Sequence, residues 1–209
     1  MDDSPPPRIV AIVPVGALEG AKSRLGASLD AEERHDLAST LARRTIEAAV
    51  ATPGIVETLV VTPDDEVRHI ALEAAARPLL QRRHGLNEAL REAREEAVAA
   101  GADAILIVPT DLPAVSPATL GEVVEALGGG SIVILIPDRH GRGTNVLAVA
   151  PPDAIEVCFG GDSRRAHAEG AARAGVPYRE LDGPLRLDVD TPDDLLLAER
   201  LLPEVLASR

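Results

Sequence analysis

Ile9-Val10-Ala11-Ile12-Val13 is a run of five aliphatic residues, and the loop Val15-Gly16-Ala17-Leu18-Glu19-Gly20-Ala21-Lys22 follows it closely. A short continuous apolar run bounded by a glycine-containing loop predicts a strand that is buried on both faces of a sheet. In open α/β sheets, ligands bind beyond the carboxyl ends of the strands. The loop that carries Lys22 is therefore a candidate binding site.

The rest of the chain alternates short apolar runs with helical patterns. The predicted strands span 9–13, 58–61, 104–108, 132–136, 144–149 and 185–187, and the predicted helices span 30–51, 65–76, 84–100, 117–127, 163–174 and 192–202. This alternation predicts an α/β fold whose mostly parallel sheet has helices on both faces. Residues 132–189 are less regular and are expected to form a subdomain over one sheet edge. A single domain at 8–209 is expected after a disordered, proline-rich tail at 1–7.

Composition argues against several classes of partner. The formal net charge is −13, and the chain has one Phe, one Tyr and no Trp. Both features argue against nucleic acid, and the charge argues against an anionic membrane surface. No apolar run approaches the ~20 residues of a membrane span, and the acidic start lacks the features of a signal peptide. Cys158 is alone, which excludes an internal disulfide and a cysteine zinc cluster and favours the cytoplasm.

Lys22 is the only lysine in a chain that has 20 arginines. Lysine is ordinarily one of the commonest residues in soluble domains. A compact ammonium is not equivalent to a planar guanidinium, and an ammonium on a glycine-containing loop after a strand suggests phosphate binding. Compositional drift is the alternative explanation, and position alone does not choose between the two.

Three aspartates form a candidate metal site. Asp188 and Asp190 are separated by Val189, and on an extended backbone residues i and i+2 point to the same side. Two adjacent carboxylates repel unless a cation lies between them, and with Asp111 they make an oxygen-ligand set suited to Mg²⁺. Val189 is expected to face the sheet interior. Taken alone, Asp111 is better explained as a turn residue, and Thr191-Pro192-Asp193-Asp194 has the pattern of an ordinary helix start.

Two glycine-containing segments are candidate anion sites. Asp138–Asn145 contains two glycines, two arginines and a hydroxyl, which can present amides and positive charge to a phosphate or carboxylate. Phe159–Ser163 precedes a predicted helix and can do the same at its N-terminus. The alternatives are a solvated hairpin loop for the first and a simple N-cap, at Asp162 or Ser163, for the second. No Rossmann fingerprint follows the first strand, and the loop before Lys22 is no P-loop.

Taken in order, six motifs resemble one known family. They are Pro14-Val15 with Ala21-Lys22-Ser23-Arg24-Leu25, then Gly85-Leu86-Asn87-Glu88-Ala89, Asp111-Leu112-Pro113, Asp138–Asn145, Phe159-Gly160-x-x-Ser163 and Leu187-Asp188-Val189-Asp190-Thr191-Pro192. Each motif is weak alone, but their order is specific. The chain resembles the guanylyltransferases of coenzyme F-420 biosynthesis, which join GTP to phosphoenolpyruvate or 2-phospho-L-lactate. The resemblance extends from about Arg8 to Leu201.

The resemblance implies a fold and a set of site residues. The fold would be the nucleotide-diphospho-sugar transferase-like (GT-A-type) α/β fold. Asp111, Asp188 and Asp190 would hold two Mg²⁺ ions and, with Lys22, form the catalytic set. The phosphoenolpyruvate-type acceptor would contact Thr144, Gly160 and Ser163. GTP would contact Lys22, Arg24 and Asn87. Two positions depart from the family pattern: Gly16 stands where a second lysine is frequent, and Arg142 where a small hydroxyl residue is frequent.

The expected reaction is attack by the acceptor phosphate on the α-phosphorus of GTP. Phosphoenolpyruvate would give enolpyruvoyl-2-diphospho-5'-guanosine and pyrophosphate. Because that phosphate is already ionised near neutral pH, charge neutralisation matters more than a general base. The alternatives are 2-phospho-L-lactate or 3-phosphoglycerate as acceptor, a related transferase acting on a sugar phosphate or molybdopterin, and a non-catalytic nucleotide-binding protein. The partners expected are GTP and a small phosphorylated three-carbon acid, and homo-oligomer formation is left open.

Overall fold

The computed structural model describes residues 6–202, so residues 1–5 of the predicted tail lie outside the described residues. The strands are β1 Ile9–Pro14, β2 Ile55–Thr62, β3 Arg77–Leu80, β4 Ala104–Ile107, β5 Ile132–Pro137, β6 Thr144–Ala150 and β7 Tyr178–Glu180. The helices are α1 Ala31–Ala51, α2 Asp65–Glu73, α3 Leu86–Ala99, α4 Pro117–Leu127, α5 Ser163–Ala174 and α6 Pro192–Leu201. Short 3₁₀ turns lie at Ser23–Leu25 and Pro184–Arg186.

The seven strands form one sheet in the order β3-β2-β1-β4-β6-β5-β7. All neighbouring pairs are parallel except those of β6, which runs antiparallel to both β4 and β5. The predicted mostly parallel sheet is thereby confirmed. Because β6 runs against its neighbours, its first residue, Thr144, lies at the edge where β4 and β5 end.

Helices cover both faces of the sheet, as the continuous apolar runs predict. On β1, Ile9, Ala11 and Val13 pack in the core beneath α1, α2 and α4. Val10 and Ile12 pack in a second core beneath α3 and α5. A strand with apolar residues on both faces is stable only between two layers of helices, so β1 lies at the centre of the fold.

Among the predicted elements, one strand and the subdomain were wrong, and two edge strands were missed. The predicted strand at 185–187 is instead the 3₁₀ turn Pro184–Arg186, because a proline with a fixed φ favours the start of a helical turn. The expected subdomain is absent from the described residues, since β5, β6 and β7 continue the same sheet. The edge strands β3 and β7 were not predicted, because short, largely exposed strands such as Tyr178–Glu180 carry little apolar pattern.

A third apolar cluster joins the end of the chain to the loop after β1. It contains Leu25, Leu29, Leu37, Leu41, Leu187, Val189, Leu195 and Ala198. The predicted N-cap of α6 is confirmed, because Thr191 and Asp194 form a capping box there. This cluster fixes α6 and the residues before it against the Lys22 loop. Across residues 6–202, no helix combines the length and apolarity that a membrane crossing demands.

Candidate functional site

The side chain of Lys22 lies among the predicted carboxylates. Its Nζ donates to the main-chain oxygen of Val189 at 2.7 Å and is 3.3 Å from Oδ1 of Asp190. Oδ2 of Asp111 is 3.9 Å away, within ion-pair range. The side chain is only 13% exposed. Lys22 also has left-handed backbone angles, with φ 52°, which is uncommon for a residue other than glycine and is characteristic of functional sites.

The loop that carries Lys22 is held by contacts along its length. The amide of Val15 donates to the oxygen of Val61 at 3.0 Å, which ties the loop start to β2. The amide of Leu18 donates to Oδ2 of Asp64 at 2.8 Å, at the N-cap of α2. Beyond the lysine, Leu25 is fully buried in the third cluster. The position of the ammonium is therefore set by the fold and not by a free loop.

Val189 connects the three predicted aspartates. Its amide donates to the main-chain oxygen of Asp111 at 2.9 Å, and its own oxygen accepts from Lys22. Its side chain is fully buried in the third cluster, between α1 and α6, rather than in the sheet interior as expected. The reason is that residues 188–190 form no strand of the sheet. These contacts fix the position of Val189. They thereby also hold its two sequence neighbours, Asp188 and Asp190, near Asp111.

The electrostatics of this group favour a bound cation. Burial raises the pKa of Asp111 above its ordinary value; Lys22 opposes this shift and Asp190 adds to it. Burial, with a further contribution from Asp111, raises the pKa of Asp188 to about 6. Because burial disfavours the ionised form of both carboxyl groups, a cation held between them would favour ionisation of both. Within residues 6–202, however, no three His, Cys, Asp or Glu side chains form a ready-made metal cage.

A β-bulge places Thr144 and Asn145 in different surroundings. In the β5–β6 ladder, Ile136 pairs with Val146 but Pro137 pairs with Thr144, so Asn145 is the extra residue. Nδ2 of Asn145 donates to the oxygen of Leu185 at 3.0 Å and is 3.5 Å from Oδ1 of Asp188. Bulges beside functional sites characteristically redirect side chains in this way. Asn145 therefore reaches the carboxylates, while Thr144 contacts α5.

The two predicted anion segments are joined to each other. The amide of Arg164 donates to the oxygen of Arg142 at 3.1 Å, and its guanidinium donates to the oxygen of Gly141 at 2.9 Å. The largely exposed Arg142 side chain pairs with Asp162 at 3.3 Å. Asp162 is the N-cap residue of α5 but makes no side-chain capping bond. Both segments therefore converge on the N-terminus of α5.

Gly160 and Ser163 lie in the loop that leads into α5. Gly160 has φ +150°, a conformation that other residues rarely adopt, and its oxygen accepts from the amide of Ser163 at 3.1 Å. Asn87, at the start of α3, bonds to both main-chain groups of Phe159, at 2.7 and 3.0 Å. The side-chain amide of Asn87 is thus occupied in tying this loop to α3.

Gln81 was not singled out by the sequence, and His167 was expected only to lie close to the candidate anion site at Phe159–Ser163. His167 is fully buried and bonds to both Thr144 and Cys158. Gln81 lines a cavity of about 260 Å³ beyond the ends of β1 and β2, together with Val15, Gly16, Val61, Gly85 and Leu86. A usable signal existed for Gln81, because it is the only glutamine of the chain, as Lys22 is the only lysine. His167 had no such signal, since it is one of five histidines.

A further ion pair fixes the Asp138–Asn145 segment to α6. Arg139 contacts Oδ1 of the buried Asp194 at 2.5 Å, while Oδ2 of Asp194 accepts from the amide and hydroxyl of Thr191 at 2.8 and 2.7 Å.

Arg24 is largely exposed, and its guanidinium lies 3.4 Å from Oδ2 of Asp190. The structure therefore assembles Lys22, Arg24, Asp111, Asp188 and Asp190 as one group, with Thr144, Gly160 and Ser163 around the N-terminus of α5.

Comparison with known proteins agrees with this architecture. Among solved structures, one described as a nucleotide-diphospho-sugar transferase from Desulfovibrio desulfuricans G20 superposes with a TM-score of 0.73. It is 17% identical, and the match covers 92% of this chain and 87% of that one. At that identity the similarity shows the fold alone, and it confirms the nucleotide-diphospho-sugar transferase-like architecture that the resemblance implied.

The sequence comparisons identify the family. A phosphoenolpyruvate guanylyltransferase from Sphaerobacter thermophilus is 44% identical over 187 residues, covering 89% of this chain and 90% of the relative. One from Rubrobacter xylanophilus is 40% identical over 192 residues, covering 91% and 93%. The profile of the family described as "Guanylyl transferase CofC like" matches residues 9–201. The chain belongs to this guanylyl transferase family.

Proposed function

We propose that this protein transfers the guanylyl group of GTP to the phosphate of phosphoenolpyruvate, giving enolpyruvoyl-2-diphospho-5'-guanosine and pyrophosphate. The observation that carries the proposal is the buried ammonium of Lys22, held 3.3 Å from Asp190 and 3.9 Å from Asp111. A positive point charge among carboxylates at the sheet edge suits a triphosphate that arrives with a divalent metal. The family and the names of the relatives supply the nucleotide and the acceptor.

Lys22 and Arg24 neutralise the phosphates of GTP in this proposal. Two anions must meet for the acceptor phosphate to attack the α-phosphorus, so charge neutralisation and alignment are the main catalytic requirements. Lys22 is rigid and mostly buried, which suits it to the reacting region, whereas Arg24 is largely exposed and suits the outer phosphates. The ammonium would exchange its bonds with Val189 and Asp190 for bonds to phosphate oxygens.

Asp111, Asp188 and Asp190 are the residues that would hold Mg²⁺. The donor set fits, because hard cations prefer carboxylate oxygens and burial together with neighbouring carboxylates raises the pKa values of Asp111 and Asp188, which a cation would oppose. Mg²⁺ is commonly held by one or two carboxylates with substrate phosphates, so the lack of a ready-made cage among the described residues agrees with joint binding of metal and nucleotide. When bound, Mg²⁺ would supply Lewis-acid neutralisation of phosphate oxygens. Two ions are the number the resemblance implies.

The cavity beside Gln81 is the site we propose for the guanine base. Gly16, Gly85 and Leu86 give it apolar and main-chain walls near the Lys22 loop. The side-chain amide of Gln81 donates to the oxygens of Arg83, at 2.5 Å, and Gly85, at 3.4 Å. Because the side-chain N–H groups of Gln81 are occupied by these two main-chain oxygens, its Oε1 is available to accept from the N–H donors of guanine. Asn87 would support this site from the start of α3.

Thr144, Gly160 and Ser163 form the proposed acceptor site. The glycine-containing loop and the N-terminus of α5 can present N–H groups and a favourable dipole to a carboxylate or phosphate. Arg142 stands on the rim, so its charge would assist an anion without touching the reacting atoms. At Gly16, the other departure from the family pattern, an added Cβ would meet no atom within 4 Å, so a side chain can begin there without a clash.

The test is a reaction of the full-length chain with GTP, Mg²⁺ and each acceptor in parallel: phosphoenolpyruvate, 2-phospho-L-lactate, 3-phosphoglycerate and a sugar phosphate. Pyrophosphate release is measured, and the nucleotide product is identified by mass spectrometry. We expect the phosphoenolpyruvate reaction to release pyrophosphate with a stoichiometric guanosine diphosphate ester. Asp193→Asn, at an exposed position on α6, is the matched control for Asp188→Asn.

Each other outcome has a definite meaning. Faster release with 2-phospho-L-lactate or 3-phosphoglycerate would reassign the acceptor within the same chemistry. Pyrophosphate release with the sugar phosphate alone would identify the protein as a nucleotidyltransferase of the same fold that acts on sugar phosphates. GTP binding without pyrophosphate from any acceptor would identify a non-catalytic nucleotide-binding protein. A role in coenzyme F-420 biosynthesis and a cytoplasmic location are parts of the proposal that follow from the expected product.

A further inference from the structure

The imidazole of His167 is bonded on both ring nitrogens in a way that assigns its proton. The main-chain amide of Cys158 lies 3.0 Å from Nε2, and an amide can only donate, so Nε2 must accept. A ring that accepts at Nε2 is neutral or a histidinate, and the neutral ring carries its proton on Nδ1. Nδ1 is 3.1 Å from Oγ1 of Thr144, so Nδ1 donates to the Thr144 hydroxyl oxygen.

We propose that His167 is a positioning residue that orients the Thr144 hydroxyl to donate a hydrogen bond to the anionic end of the acceptor. Because Oγ1 of Thr144 already accepts from the ring, its O–H cannot donate to the ring and is directed elsewhere. A hydroxyl fixed as a donor suits a carboxylate or phosphate oxygen and disfavours a ligand that offers an N–H or O–H there. The inference rests on the proposed function, because it assumes that Thr144 contacts the acceptor.

The surroundings of His167 hold the ring in this state. The side chain is fully buried on α5, and Phe159 packs edge-on against the ring with centroids 5.5 Å apart. Burial lowers the pKa of His167 to about 4, so the ring is neutral near neutral pH. A protonated ring would direct an Nε2–H against the amide of Cys158. The histidine thus links Thr144 to the segment Cys158–Gly160, which carries another proposed acceptor contact.

Two matched variants separate the two bonds of the ring. His167→Asn retains an N–H donor near the Nδ1 position and loses the acceptor for Cys158. His167→Gln retains an acceptor near the Nε2 position and loses the donor for Thr144. We expect His167→Gln to raise the KM for phosphoenolpyruvate by roughly 10-fold, the effect of one hydrogen bond to a charged group. The KM for GTP should be unchanged, and His167→Asn should stay within about threefold of wild type.

A double-variant cycle tests whether the two residues act as one unit. If His167 acts through Thr144, combining His167→Gln with Thr144→Val should raise the acceptor KM no further than Thr144→Val alone. Equal effects of the Asn and Gln variants, additive effects in the cycle, or a change confined to the KM for GTP would overturn the proposal. Unfolding curves of each variant show whether it is folded.

Nitrogen NMR of the wild-type protein tests the inference without a variant or turnover. Histidine ring nitrogens report directly which atom carries the proton. We expect His167 to carry its proton on Nδ1 at neutral pH, and a charged ring or an Nε2–H tautomer would overturn the proposal even if every variant failed to fold. A wild-type chain that binds phosphoenolpyruvate without turnover contradicts the proposed function, whereas binding that Thr144→Val leaves unchanged contradicts this inference.

Discussion

Nζ of Lys22 donates to the main-chain oxygen of Val189 at 2.7 Å, across 167 positions of sequence. Val189 belongs to no strand of the sheet. Its amide nevertheless donates to the main-chain oxygen of Asp111, and its side chain is fully buried. The bond therefore joins the loop after β1 to the segment that carries Asp188 and Asp190. A point charge at this position suits the binding of a triphosphate.

Lys22→Arg should lower kcat/KM for GTP by roughly 100-fold, comparable to the loss of one preorganised charge-stabilising donor. A guanidinium is planar and larger, so it cannot take the position of the ammonium between the oxygens of Val189, Asp190 and Asp111. Steady-state kinetics with GTP varied at saturating acceptor is the measurement. Arg24→Lys is the matched control, since Arg24 is 75% exposed and should lose less than about threefold. Equal losses in the two variants would contradict a special role for the Lys22 ammonium and would favour compositional drift as the reason for this lysine.

Asp188→Asn should abolish turnover and leave the fold at least as stable as wild type. Burial and the neighbouring Asp111 raise the pKa of Asp188 from its ordinary value of 3.8 to about 6, so the ionised carboxylate lowers the stability of the folded protein at neutral pH. An amide of the same shape removes the charge and the metal ligand together. Thermal unfolding at neutral pH should show an unchanged or higher Tm, while pyrophosphate release is lost. An active variant would refute the metal assignment, and Asp193→Asn should be neutral in both measurements.

Asp194→Ala should destabilise the protein by about 2 kcal/mol, because it removes the capping box of α6 and one partner of a partly buried ion pair. Asp194 is 4% exposed, accepts from Thr191 and pairs with Arg139 at 2.5 Å. Its loss leaves α6 without half of its capping box and frees the segment that begins with Asp138. Urea unfolding gives the change in free energy. Asp193→Ala on the same helix turn should cost less than about 1 kcal/mol, and equal costs would argue against the ion pair.

His167 should make the protein less stable in acid. Its folded pKa of about 4 lies below the ordinary value of 6.5, so the unfolded chain binds the proton more tightly. The stability contribution is therefore complete above about pH 6.5 and is lost as the pH falls towards 4, by about 3 kcal/mol in total. Urea unfolding across this range should show the difference between wild type and His167→Asn shrinking by that amount. A constant difference would contradict the assignment of a neutral, buried ring.

Local pattern was sufficient for most of the helices and strands. The continuous aliphatic runs of β1 and β4 require helices on both faces of the sheet, and this follows from burial alone. The bounds of α4 and α5 were likewise predictable, because caps and prolines act within a few residues. The edge strands escaped prediction because their pairing comes from a neighbour and not from their own composition.

The candidate site divides in the same way. Asp111, Asp188, Asp190 and Lys22 were recognisable as chemical groups, since a rare lysine and paired aspartates are visible in the sequence. Their mutual distances were not visible, because they depend on Val189 bonding to residues far along the chain. The Asn145 bulge and the ring of His167 likewise arise from register and packing between elements.

Residue types along this chain therefore specify which charges, hydroxyls and glycines are available and which segments must be buried. The folded sheet specifies where they meet: β6 runs against its neighbours and brings Thr144 to the edge where β4 and β5 end. The physical reason is the distance along the chain over which each interaction acts. Burial, capping and backbone preference act over a few residues, whereas a site formed by Lys22, Asp111 and Asp190 depends on long-range packing.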